Sequence, residues 1–321
     1  MEFYENLGKN VIDLVKRKYS YLSVKTKEFE QIKEGLDENM SKVSNNNEAL
    51  KVLINYLSLF NDDHIKFLDE EGYYHAKFNL KESINFNNTI TDSYLSNKKI
   101  IGPITLGELE DILYVRANSF NEKFSKDFKK LYTTNPQNKK FIIDLRPNSG
   151  GNDSLATPLI EFLLGNEQKQ LSYYSRKRIS ENHPSILSEF NPEYIYPVFN
   201  HLPKKVAVLI GNKTCSASEL VTLKLTAIPD SISIGDISGG VSGIPLIYLL
   251  DGNKECTKIG FNDFPNNYES KFAINLPSKL IYKRNKELVQ NNGITPDILI
   301  PSNKSIIDGR DLVLEQAINK L

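Results

Sequence analysis

Two short segments and one histidine carry residue types at spacings that chemistry can use. Thr214-Cys215-Ser216-Ala217-Ser218-Glu219 follows the apolar run Val206-Ala207-Val208-Leu209-Ile210 and opens a helical pattern that ends near Ile228. A serine at a strand-to-helix handover has its hydroxyl held at a sheet edge, with backbone N–H groups facing any anionic oxygen formed beside it. That is a place for a nucleophile. Asn148-Ser149-Gly150-Gly151-Asn152 follows a second apolar run, Phe141-Ile142-Ile143-Asp144-Leu145. Adjacent glycines after a buried strand admit unusual dihedrals and a close ligand, so an N–H of Gly150 or Gly151 could join that of Cys215, Ser216 or Ala217 around an oxyanion. Losing one such donor typically costs about 2.7 to 4 kcal/mol of transition-state stabilisation. Taken alone, the same glycines also fit a tight strand-to-helix turn.

A serine hydroxyl is a weak nucleophile near neutral pH and needs a base, for which an imidazole titrating near 6.5 is suited. The chain has four histidines. His75 lies in an alternating strand pattern, His183 precedes Pro184 in a polar segment, and His201 lies in a loop before the serine strand. His64 stands at a helix-to-strand corner after Asn61-Asp62-Asp63. Cys215 reads as small buried filler, Ser218 as a residue of the first helical turn, and Glu219 as a helix-start charge favoured by the dipole. Gly-x-Ser-x-Gly, a Gly-rich phosphate loop and His-Glu-x-x-His are all absent.

The elements that must position these residues fall into three zones. Phe3, Leu7, Val11, Leu14 and Val15, then Phe29, Ile32, Leu36 and Met40, then Leu50, Leu53, Ile54, Leu57 and Phe60 recur at helical spacing. They predict a three-helix subdomain over residues 1–63. Residues 64–110 read as strands and linker: His64 to Leu68 and Tyr74 to Leu80 alternate, and residues 81–110 are polar and Asn-rich. From 111 to 321 strands alternate with helices, predicting an α/β core of parallel βαβ units. Its strands are Ile112 to Arg116, Phe141 to Leu145, Val206 to Ile210 and Ser231 to Ile234. Leu246 to Leu250 turns at Asp251-Gly252 into Cys256 to Ile259 as a hairpin, and Leu312, Val313, Ala317 and Leu321 mark a last helix.

At 321 residues and 40% hydrophobic content the chain can bury a sizeable core. Forty basic and forty acidic residues cancel, which argues against a nucleic-acid partner. Cys215 and Cys256 form no metal pattern and no secreted disulfide framework, and no apolar run reaches a membrane span of roughly 18 residues. The start, Met1-Glu2-Phe3-Tyr4-Glu5-Asn6, has no leader pattern, so a cytoplasmic location is expected unless a leader was removed.

Asp144-Leu145-Arg146-Pro147-Asn148-Ser149-Gly150-Gly151 resembles the Asp-Leu-Arg-x-Asn-x-Gly-Gly signature of the tail-specific, or C-terminal processing, serine proteases and their tricorn-core relatives. Thr214 to Glu219 is similar to their nucleophile segment. Ile234-Gly235-Asp236 with Gly239-Gly240 resembles the glycine turn after the next strand, and Asn292-Gly293-Ile294-Thr295-Pro296-Asp297-Ile298 their closing Gly-Val-x-Pro-Asp element. Four motifs in the family's order, over about residues 105–320, are far more specific than any one alone.

The resemblance implies a crotonase/ClpP-like core, Ser216 as nucleophile, and an oxyanion hole from Gly150 or Gly151 with the turn at Ala217. The tail-specific branch carries its lysine base in the glycine turn, where this chain has Val241. The tricorn-like and interphotoreceptor retinoid-binding-protein-like branch uses a histidine in Leu-x-Asp-x-His, which Leu59-Phe60-Asn61-Asp62-Asp63-His64 resembles. His64 is then the expected base. That branch has an orienting glutamate near residue 290, where this chain has Gln290, with Glu287 upstream and Asp63 beside His64 as other acids. Residues 65–105 are too short for a PDZ domain, and Arg176 to Leu202, rich in Tyr, Pro and charge, reads as a loop that is either a lid or specificity element over the cleft or a solvated insertion. The expectation is a serine peptidase acting on a peptide or protein, with no metal or organic cofactor and with homo-oligomerisation left open. The alternatives are an inactive member binding a peptide or hydrophobic ligand, and a crotonase-like acyl-CoA enzyme.

Overall fold

The structure, a computed structural model, describes residues 2–68, 74–75, 85–132, 139–197, 204–250, 258–259 and 272–321. They form two compact units, each assembled from separate stretches of chain: residues 1–79, 175–191 and 243–281 in the first, and 80–174, 192–242 and 282–321 in the second.

In the first unit the helical periodicities become helices at Glu2–Lys18, Thr26–Met40 and Asn46–Leu57. Each buries the stripe its spacing predicts: Leu7, Val11 and Leu14; Ile32, Leu36 and Met40; Leu50, Leu53 and Leu57. Asn45 caps the third helix by accepting the Glu48 N–H at 3.0 Å, while the Glu48 carboxylate accepts the Ser44 N–H at 2.9 Å. An antiparallel sheet follows, in the order Lys258–Ile259, Pro245–Leu250, Phe272–Pro277, Lys66–Leu68 and Tyr74–His75. The expected pairing of Leu246 to Leu250 with Cys256 to Ile259 appears as Ile247 opposite Ile259, while Asp251, Gly252 and Cys256 lie outside the described residues. Phe272–Pro277 is buried along its whole length between two neighbours.

The second unit holds a seven-stranded sheet in the order Ile298–Leu299, Ser231–Gly235, Lys205–Ile210, Lys140–Asp144, Ile112–Ala117, Ile104–Leu109 and Ser96–Ile101. The first five run parallel, and the last two pairings, across Ile104–Leu109, are antiparallel. Val206 to Ile210 and Phe141 to Asp144 are buried on both faces, which is why they read as continuous apolar runs rather than alternating ones. Helices Glu122–Tyr132, Thr157–Leu164, Ala217–Leu225 and Leu312–Lys320 belong to this unit. Phe124, Phe128, Phe141 and Phe162 pack ring against ring at 5.6 to 6.1 Å, each burial contributing roughly 1.5–3 kcal/mol.

Two readings of the sequence are corrected here. Within residues 81–110, the described part from 85 onward is ordered as a helix at Asn88–Ser93 and a hairpin, Ser96–Ile101 with Ile104–Leu109. Its outer strand is solvent-exposed and lysine-bearing, so it lacks the apolar alternation that signals a strand. Arg176 to Leu202 is not one loop either, since Arg178 bridges Leu187 and Asn191–Ile195 is a strand. Residues 198–202 lie outside the described part. Among the described residues no helix is long and apolar enough to cross a membrane.

Candidate active site

Parallel strands deliver their following loops to one edge of the sheet, the carboxyl edge, where α/β proteins assemble sites. Three such loops meet in the second unit. Thr214 joins two of them: its hydroxyl donates to Leu145 O at 2.9 Å and accepts the Gly211 N–H at 3.0 Å. The Cys215 N–H reaches Asn148 O at 3.4 Å. The third loop enters through the Gly239 N–H, which donates to Thr214 O at 3.0 Å, and Val241 O, which accepts the Ser216 N–H at 2.8 Å. A Cβ at Gly239 would come within 2.2 Å of Cys215 Sγ, so glycine is what lets this loop close.

Ser216 occupies the junction between Lys205–Ile210 and the helix Ala217–Leu225, at φ 55° and ψ −123°. A non-glycine residue there is strained by about 1–3 kcal/mol, and such strain gathers at functional positions. From Thr214 to Leu223, Ser216 is the only residue not buried. Cys215 is 2% exposed and keeps its thiol 3.6 Å from Asn212 O, the buried filler its position suggested.

The glycine pair flanks this serine. A Cβ on Gly150 would stand 3.0 Å from Ser216 Cβ and 3.3 Å from Ala217 N, and its φ is +123°. Its N–H donates to Asn148 Oδ1 at 2.8 Å. Gly151, at φ +126°, lies against Phe120, whose carbonyl oxygen would be 2.2 Å from an added Cβ. Phe120 N donates to Gly150 O and Asn152 N to Phe120 O, bridging the segment while leaving Gly151 N out of the ladder. Among the described residues neither Gly151 N nor Ala217 N has an acceptor, as first-turn position dictates for Ala217.

Glu219, read from the sequence as a helix-start charge favoured by the dipole, is fully buried. Its carboxyl accepts from Ser216 N at 3.3 Å, Gly240 N at 2.8 Å and the Ser238 hydroxyl at 2.5 Å. Burial pushes it up to about 8 from its ordinary 4.5, against the pull of those donors. An Asp or Glu three residues after an N-cap is ordinarily a capping group, so no local signal marked this one as interior.

The other expected site residues are placed as follows. Gln290 is 3% exposed, and its Oε1 accepts the Ser242 N–H at 2.8 Å, next to the Val241 carbonyl that Ser216 uses. Glu287 is exposed and pairs with Lys283 at 2.7 Å, which holds its carboxyl below the usual range. His64 belongs to the first unit, is 6% exposed, and its backbone N–H donates to Asp62 Oδ1 at 3.0 Å. The buried acid of that corner is Asp62, not Asp63: its Oδ2 accepts the Tyr19 hydroxyl at 2.8 Å, and burial pushes its carboxyl up to about 6. Asn61 at φ 47° turns the chain there. His183 is exposed, His75 lies in a two-residue strand, and His201 is outside the described residues.

The sequence profile of peptidase family S41 matches residues 111–300. The chain belongs to peptidase family S41. All four sequence motifs fall inside that match, whereas His64 lies before it. Solved structures share the S41 fold over nearly the whole chain. A candidate peptidase from Parabacteroides merdae has a TM-score of 0.77 at 21% identity, covering 99% of this chain and 96% of that one. The photosystem II D1 C-terminal processing protease gives 0.54 at 12% identity, covering 95% and 94%. The tricorn protease gives 0.59 at 13% identity, covering 98% of this chain and 36% of its own. At these identities the likeness is one of fold. No curated protein sequence matches the chain significantly.

Proposed function

We propose that this S41 member is a serine peptidase cleaving peptide or protein substrates, with Ser216 as nucleophile and His64 as general base. Its core is taken to be crotonase/ClpP-like, without a PDZ domain, preceded by the helical segment 1–63 and the strands of 64–110. The observation that carries the reading is Ser216 itself: strained, accessible among buried neighbours, and packed against Gly150.

Ser216 Oγ adds to the carbonyl carbon as His64 takes the hydroxyl proton. The carbonyl oxygen, now anionic, is held by Ala217 N–H together with Gly151 N–H, since Gly150 N–H is already given to Asn148. Collapse of the tetrahedral intermediate expels the amine, which receives the proton from His64, and water repeats the sequence on the acyl-enzyme. Val241 has no titratable group where the tail-specific branch carries lysine, which favours the histidine-using, tricorn-like branch. Gln290 orients the site by hydrogen bonding and Glu287 remains the nearest acid in sequence.

One observation favours a second reading. Gln290 cannot carry charge and its oxygen is engaged by Ser242, so an imidazolium would lack the carboxylate that ordinarily stabilises it. On that reading the chain binds a peptide or hydrophobic ligand without cleaving it. Incubation with a mixed peptide library, read by mass spectrometry, separates the two. Cleavage abolished by Ser216→Ala and lowered about 10³-fold or more by His64→Ala supports the peptidase. Saturable peptide binding with no cleavage supports the binder.

A further inference from the structure

Among the described residues, the donors that meet the buried Glu219 carboxyl come from two turns. Ser216 N belongs to the serine turn, while Gly240 N and the Ser238 hydroxyl belong to the turn after strand Ser231–Gly235. Ser238 Oγ accepts the Ile294 N–H at 2.7 Å, which leaves its single proton to point at Glu219. Ser216 N–H is shared between the Glu219 carboxyl and Val241 O. Among the residues so joined, Ser216 is a non-glycine residue held at φ 55°. A conformation of that kind persists only where its surroundings over-determine it.

We infer that Glu219 is a positioning residue for Ser216, its carboxyl fastening the serine turn to the Ser238–Val241 turn so that the hydroxyl is held in its attacking orientation. The inference rests on Ser216 being the nucleophile. It goes beyond that reading by naming what maintains the strained geometry. It also excludes two N–H groups from the oxyanion hole, because those of Ser216 and Gly240 are already given away. A capping acid that served only the helix dipole would sit in solvent and meet donors of its own helix alone. Glu219 instead meets a turn some twenty residues onward.

The test uses the full chain and a fluorophosphonate probe, measuring the maximal labelling rate and the half-saturating probe concentration separately. Glu219→Gln keeps the side chain's size but sets an NH₂ among converging donors. The maximal rate is expected to fall about tenfold or more, with half-saturation unchanged within about twofold. Amide exchange at Ser216 and Gly240 should quicken by about the same factor, while that of Val206 to Ile210 stays as it was. Ser238→Ala removes one donor without touching the carboxyl and should give a smaller loss of the same kind. A parental labelling rate in both variants overturns the inference, as does a change confined to half-saturation. A loss that follows faster exchange throughout the sheet also overturns it, as that marks a merely structural residue. A parent chain that is never labelled removes the nucleophile reading instead, and the inference with it.

Discussion

Substituting Gly150 by alanine tests the packing of the glycine loop against the serine. The new Cβ would meet Ser216 Cβ at 3.0 Å, Cys215 O at 3.1 Å and Ala217 N at 3.3 Å, each tighter than an ordinary Cβ contact, so that these neighbours must give way. Its φ of +123° adds strain of about 1–3 kcal/mol for any L side chain. Forcing a methyl into a packed site costs about 1–3 kcal/mol more where neighbours can yield. Neither Cys215 O nor Ala217 N can yield without moving the serine turn, since both are backbone atoms on either side of Ser216. The expected result is a loss of about 2–4 kcal/mol in urea-denaturation stability. Fluorophosphonate labelling of Ser216 should fall about 10²- to 10³-fold, the scale of losing one oxyanion donor. A Gly150→Ala chain that matches the parent in both stability and labelling would refute the close approach of this loop to Ser216.

Other expectations follow from the same structure. Glu219 is neutral when buried, with its pKa at about 8 against 4.5 ordinarily, so the folded chain holds the extra proton between those values. Its contribution to stability is therefore complete below about pH 4.5 and is lost as pH rises through about 8; Glu219→Gln should flatten the unfolding free energy across that window by up to about 1.4 kcal/mol per pH unit. Arg146 is fully buried, bonded to Asp144 at 2.6 Å and Asp311 at 2.8 Å, so Arg146→Met should cost about 3–5 kcal/mol by leaving two carboxylates unpaired, whereas equal stability on denaturation would contradict it. Tyr19→Phe leaves the buried Asp62 Oδ2 without its 2.8 Å donor and should lower stability by about 1–3 kcal/mol, with peptide cleavage falling if that corner positions His64.

What the sequence made legible was what local pattern encodes. Phe141 to Leu145 and Val206 to Ile210 announced central strands because both their faces are buried. The handover at Ser216 was readable from Thr214 to Glu219, since the turn, the serine and the helix start share six consecutive residues. Glu219 does stand in the first helical turn, but its burial was hidden because it comes from Ser238 and Gly240, which no periodicity around residue 219 reports. The same limit hid Phe272–Pro277, whose pairing with Lys66–Leu68 joins distant stretches of chain. At the His64 corner the pattern offered Asp63, and only packing against Tyr19 selects Asp62 as the interior acid. The hairpin of Ser96–Ile101 with Ile104–Leu109 was obscured by Lys98 and Lys99, charges that suit a sheet edge yet imitate a linker.

The most direct measurement is a peptide map of the fluorophosphonate-treated chain beside its His64→Ala variant. The account predicts one adduct, on Ser216, nearly absent when the imidazole is removed. An adduct on another serine, no adduct at all, or equal modification of Ser216 in both chains would contradict it.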